Sequence, residues 1–325
     1  VVIPEDATQT TTSASQKRPS GTGNTVTANI VEGYKKPEVQ SFVAEETSRT
    51  VIVHYAEDAV VIPTISGATD LSKQNIYGES ISMTTANCYV VSMPGTYAFP
   101  LVYGCAVKGG KVARAAFKKV EGQYSHDFVN HLDNVITEPF IESHDRCAAA
   151  SVELSMSDTD AIFTNLEIAN GGSCRYVKFN VASVPSTGAN GVISVLDANG
   201  TVMWSWHIWV WPDDLTPVEI TNNTGVKYNI LPVNLATKKS TTAGKMYNWF
   251  YQWGRPTPML PPEDYNSTTN ATNYGVKSFA VSSAKADTYG AGIQNPQMFY
   301  TGSSAPYNWF GSASYYNLWD ANCVS

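Results

Sequence analysis

The nine residues MWSWHIWVW at 203–211 carry four tryptophans and a histidine, and few folds can house them. Asn199-Gly200 comes just before, a pair that tolerates positive φ and closes tight hairpin turns. The stretch GVISVLDANGTVMWSWHIWVW (191–211) therefore reads as a β-hairpin with the tryptophans on its second strand. Side chains alternate across a strand. Trp204, Trp206, Ile208 and Val210 then share one face, and Met203, Ser205, His207, Trp209 and Trp211 take the other. Large apolar groups on both faces mark a strand covered on both sides. His207 becomes an interior, hydrogen-bonded histidine with Ser205 beside it, rather than part of an exposed tryptophan ladder.

The pattern around this strand is also β. Val26, Ala28 and Ile30, then Val51, Val53 and Tyr55, recur with period two. ANCYVVSMPGTYAFPLVYGCAV (86–107) reads as strand, turn at Pro94-Gly95, strand. YVKFNVASV (176–184) is a further strand. One stretch differs: Phe128, Leu132, Val135 and Ile136 stand at helical spacing, which predicts one or two short helices within 113–136. Residues 8–25 are polar and of low complexity, with too little apolar surface to order themselves. Beyond 240, aromatics, Gly, Asn and Ser crowd together without periodicity, and YNWFYQWG (247–254) is echoed by YNWFGSAS (307–314).

The charge balance excludes some functions. A net charge of -7 over 325 residues argues against nucleic acid, whose phosphates need clustered Lys and Arg. Lys108, Lys111, Arg114, Lys118 and Lys119 are the nearest to such a cluster; they read as a solvated helix face. No apolar run approaches the ~20 residues of a spanning helix. Charged residues make up only 15%, against ~25% in ordinary soluble domains, as in many secreted β-rich proteins. Residue 1 is Val, so a targeting segment has been removed or the chain is a piece of something longer. Cys88, Cys105, Cys147, Cys174 and Cys323 include no C-x-x-C pair, and the odd count leaves at least one thiol unpaired within the chain.

Candidate catalytic and metal residues are sparse. His126 and His131 flank Asp127 with Glu138 nearby. A five-residue step on a helix turns them ~140° apart, so they read as surface histidines and no metal is expected. DANG (197–200) begins like a calcium loop, but position twelve is Ile208; a turn is expected instead. Asp213-Asp214 and Glu263-Asp264 are adjacent carboxylates that point apart on extended chain. Neither a nucleophile elbow nor a phosphate-cradling loop is present, and Cys88 inside NCYVV reads as a strand-core residue. No cofactor is expected.

Several stretches resemble one family. TANCYVVSMPGTYAFPLVYGCAVKGG (85–110), FVNHLDNVITEPFI (128–141), DANGTVMWSWHIWV (197–210), YNILPVNLA (228–236), YQWGRPTPM (251–259) and YNLWD (316–320) occur here in one order. Together they resemble the fimbrillin-like, surface-exported proteins of Bacteroidales, over residues 76–320. The resemblance implies a lipoprotein-type surface protein of tandem β-sandwich modules, linked to fimbriae or adhesion. Longer relatives continue past the LWD stretch into a further module. The chain departs from the family at Cys105, where Asn is common, and at Ala236-Thr237-Lys238, where Gly-Trp-Cys is common. The family defines no catalytic residues to carry over.

The resulting expectation is a mainly β chain. A polar arm (1–25) leads into a jelly-roll-like β-sandwich (26–238) with a short helical insertion, followed by an irregular aromatic-rich region (239–325). The expected function is non-enzymatic: an exported fimbrial or adhesin component at the cell surface, partnered by other fimbrial subunits. The alternative is a module binding host or dietary glycans. Its platform would be Trp249, Tyr251, Trp253, Trp309, Tyr315 and Trp319, because flat rings beside amide side chains suit sugars. A glycoside hydrolase would need two carboxylates facing across a cleft.

Overall fold

The computed structural model describes residues 58–60, 62–117, 128–159, 161–240, 246–251, 255–259 and 288–300. It also describes Lys35 and the strands Val2–Pro4, Gly23–Val26, Gln40–Val43, Val53–Tyr55 and Ala280–Ser282. Most of the polar arm lies outside the described residues, as do His126, Asp127, Glu263 and Asp264.

Two sheets carry the fold. Their strands are β1 (Thr69–Asp70), β2 (Cys88–Val91), β3 (Gly95–Pro100), β4 (Ser151–Ser157), β5 (Phe163–Asn170), β6 (Arg175–Val181), β7 (Ala189–Leu196) and β8 (Val202–Val210). One sheet runs β4-β7-β8-β2 and the other β5-β6-β3-β1. β7 and β8 are the expected hairpin, pairing Ala189 with Val210 and Val192 with His207. Each sheet ends in a parallel edge strand: β2 beside β8 and β1 beside β3. The mainly β, sandwich-like architecture read from the alternation is the one observed.

The core forms between the two sheets. Phe99 on β3 reaches Trp206 on β8 at 4.9 Å between ring centroids, and Tyr89 on β2 stacks on Phe99 at 5.1 Å. Trp204 meets Tyr103 edge-on at 5.1 Å. Such tilted and edge contacts are favoured by the ring quadrupoles. Gly191 on β7 keeps the sheets close at one point, because a Cβ there would lie 2.6 Å from the Phe163 ring.

The other face of β8 is covered too. Trp209, Trp211 and Leu215 form a second cluster with Cys88, Val90, Leu231 and Val233. Behind them lie β11 (Thr237–Lys239) and β12 (Met246–Asn248), preceded by the hairpin of β9 (Val218–Thr221) and β10 (Lys227–Ile230). The Trp209 indole donates to Thr237 O at 2.9 Å. Every residue of β8 is buried.

Two expectations are corrected. Phe128–Ile136 is not helical: Leu132 and Val135 are 52% and 43% exposed, and Val129 bridges Val135 across a turn. The Asn130 side chain accepts from the Leu132 and Asn134 N–H groups, and Asp133 sits at φ 60. Side-chain bonds of this kind compete with helix formation, and here they prevail. Around this stretch, of which residues 118–127 lie outside the described residues, the helical pieces are the 3-10 turn Arg114–Ala116 and α1 (Ile141–Asp145). Of the basic cluster, Lys118 and Lys119 lie outside the described residues, and the other three do not share one helix face. Lys108 and Lys111 close a two-residue hairpin, and Arg114 pairs with Asp58 at 2.5 Å.

Candidate functional site

The polar residues that break the apolar run of β7 and β8 converge behind the sheet. Ser155, Ser194 and Ser205, on three neighbouring strands, link hydroxyl to hydroxyl at 2.6 and 2.7 Å. One step along β8, His207 places Nε2 2.9 Å from Asn190 Oδ1. Asn190 cannot turn over, because its Nδ2 donates to Asp158 Oδ2 at 3.0 Å and its backbone N–H to Asp158 Oδ1 at 2.8 Å. The amide oxygen is therefore the atom facing His207, and Nε2 carries the proton. That leaves Nδ1 as an acceptor, with Tyr251 Oη at 2.9 Å and Cys88 Sγ at 3.1 Å.

The environment keeps these groups neutral. Burial pushes His207 down to about 3 and the Cys88 thiol up to about 12, the Tyr251 bond offsetting little of the latter. Burial likewise raises Tyr251. Cys88, His207 and Asn190 stand in the order of a thiol–imidazole–amide triad, but a thiolate–imidazolium pair does not form at neutral pH. A raised thiol value lowers the fraction present as thiolate, the form that acts as nucleophile.

A second polar cluster lies under α1. Asp145, its side chain fully buried, accepts from Tyr103 at 2.7 Å and from Asn130 at 2.6 Å. His144 Nδ1 lies 2.7 Å from it, and His144 Nε2 faces Val135 O at 2.8 Å. His131 Nδ1 is 3.1 Å away, close enough for an ion pair but not aligned as a hydrogen bond. Desolvation pushes the Asp145 carboxyl up, yet His131, His144, Tyr103 and Asn130 together hold it lower, at about 2. His131 is thus buried and paired, which corrects its reading as a surface histidine. Gln294 of α2 (Tyr289–Gln294) donates to His131 O at 2.6 Å, and Gly290 N–H to Asp133 at 2.8 Å.

Comparison with protein families, curated proteins and solved structures finds no match to the chain.

Of the six rings expected to form a ligand platform, the structure describes two. Trp249 is buried, stacked on His207 at 5.8 Å, with its indole N–H on Asp158 at 2.9 Å. It presents no open face to a sugar. Tyr251 is 39% exposed but turns its hydroxyl inward to His207. Trp253, Trp309, Tyr315 and Trp319 lie outside the described residues. DANG is a turn, in which Asp197 accepts from the Asn199 and Thr201 N–H groups at 2.8 Å. Asp213 pairs with Lys239 at 2.5 Å, while Asp214 accepts from Thr216, so the two carboxylates do separate work. Among the described residues no three His, Cys, Asp or Glu side chains group as metal ligands, and no helix is long and apolar enough to cross a membrane.

Sequence reasoning placed His207 inside but missed Asn190, Asp158, Asp145 and Tyr103. One signal was available: Asn190 is an amide in a strand that is otherwise almost wholly apolar. A buried amide requires partners.

Proposed function

We propose that the chain is a non-enzymatic, exported cell-surface protein, a fimbrial or adhesin component that docks a neighbouring protein subunit through the β9–β10 hairpin. The hairpin itself carries this reading. Val218 pairs with Ile230 and Ile220 with Tyr228, which puts four apolar side chains on one face. All four are 47–53% exposed. The opposite face is polar, with Lys227 bound to Glu219 at 2.8 Å. Among the described residues neither edge of this hairpin pairs with a further strand, and an isolated hairpin is at best marginally stable in water. An extended segment of another subunit would add backbone bonds along an edge and side chains onto the apolar face. The resemblance to fimbrillin-like proteins supports the same reading.

The test is assembly at the cell surface. Ile220→Lys and Tyr228→Lys, which charge the apolar face, are expected to abolish recovery of the protein in sheared, sedimented filaments. Asn229→Lys on the opposite face serves as the matched control. Filament incorporation of both face variants at the level of the control would refute the reading.

A further inference from the structure

We propose that Asn199, in the turn joining β7 and β8, is a site of spontaneous self-modification. The Gly200 backbone nitrogen converts the Asn199 amide to a succinimide, which water opens to aspartate or isoaspartate. The sequence holds three Asn-Gly pairs: Asn170-Gly171, Asn190-Gly191 and Asn199-Gly200. All three follow an alanine (Ala169, Ala189, Ala198), so their local chemistry is the same. In each, glycine leaves the attacking nitrogen without a neighbouring Cβ to shield it. The fold decides which pair reacts.

The chemistry balances with water as the only co-reactant. Hydroxide takes the Gly200 amide proton, and the nitrogen attacks Asn199 Cγ. The N–Cγ bond forms, the Cγ–Nδ2 bond breaks, and Nδ2 takes a proton from water and leaves as ammonia. Water then adds to one of the two imide carbonyls. Cleavage at Cγ restores the backbone and leaves aspartate; cleavage at the α-carbonyl routes the chain through the side chain as isoaspartate.

Packing bars two of the pairs from the first step. Asn190 is fully buried and its amide is held by Asp158 and His207. Gly191 sits in the ladder on both sides, opposite Ser157 and Ile208. Asn170 is exposed, but its Oδ1 accepts from the Gly172 N–H at 2.9 Å. Gly171 beside it is buried, with its N–H on Cys174 O at 3.1 Å and the Tyr176 ring filling the space a Cβ would need. Asn199 and Gly200 differ: both are exposed, and the space where a Gly200 Cβ would stand is open. Asp197 pins the flanks through the Asn199 and Thr201 N–H groups, but reaches Asn199 Nδ2 only at 3.5 Å. The attacking nitrogen gives up one turn bond, Gly200 N–H to Asp197 O at 3.1 Å. The products then loosen the turn. Aspartate sets a second carboxylate beside Asp197, and isoaspartate lengthens the loop that the Asp197 N–H to Thr201 O bond closes at 2.9 Å.

Ageing of the native full chain in warm, mildly alkaline buffer tests the site. Conversion is read by peptide mapping with mass spectrometry and by labelling with an isoaspartate-specific methyltransferase. Asn199 is expected to convert about tenfold or more faster than Asn170 or Asn190, since those two wait on the opening of packed structure. In denaturant the three pairs should convert at similar rates, which assigns the selection to the fold. Asn199→Gln, whose longer side chain closes no five-membered ring, should remove the native-state signal and the fall in melting temperature that accompanies ageing. A native chain in which Asn199 converts no faster than the other two overturns the proposal. So does a ranking that persists unchanged in denaturant, or an equal fall in melting temperature on ageing Asn199→Gln.

Discussion

Trp206 shows how one residue can serve both a sheet and the space behind it. Its ring fills the gap to Phe99 across the sandwich, and it is fully buried. Replacing it by Ala should cost about 3–5 kcal/mol, as for other buried aromatics, measured as the shift in urea unfolding free energy. Asp145 is the polar counterpart. Its folded carboxyl lies at about 2 against an ordinary 3.8, so its contribution is present above pH 3.8 and lost as pH falls through 2. Asp145→Asn should therefore lower stability by about 1–3 kcal/mol at neutral pH. The gap to the native protein should narrow steadily below pH 4. Denaturant melts of both proteins from pH 7 down to pH 2 decide this; a gap that stays constant would show that the carboxylate charge contributes nothing.

At the scale of elements, β7 and β8 were legible because alternation, an Asn-Gly turn and bulky residues on both faces all agree. The 128–136 segment was not, because two signals conflict there. Phe128, Leu132 and Ile136 keep helical spacing, but Asn130 and Asp133 supply the side-chain bonds and left-handed backbone of a turn. Periodicity counts apolar positions and takes no account of such bonds. Gly191 poses a related problem: inside a strand it looks like a weakness, and only the packing shows Phe163 occupying the space a Cβ would need. Gly191→Ala should cost about 1–3 kcal/mol, the usual penalty of overpacking. A thermal melt unchanged by that substitution would mean that the Phe163 ring has room to swing aside.

For the whole molecule, the central question is what covers the second face of β8. The sequence says that this face must be covered, since Trp209 and Trp211 stand on it, but not by what. Partners 28 to 44 residues further along the chain leave no periodic trace. The structure supplies the cover from segments on both sides of residue 238, where the change of composition suggested a boundary. Thr237 receives the Trp209 N–H, Trp249 stacks on His207 and bonds Asp158, and Tyr251 reaches His207. A chain ending at 238 would keep the sandwich strands but lose the last two of these partners. Asp158 would then give up the Trp249 N–H, and His207 and Cys88 would face water. Chains 1–238 and 1–259 should consequently differ: the shorter is expected to melt several degrees lower, since ~1 kcal/mol shifts the midpoint of a domain this size by a few degrees. Cys88 should also become alkylated in the folded shorter chain while remaining protected in the longer one. Equal melting points and equal alkylation would fit a boundary at 238, with the layer beyond it an independent unit.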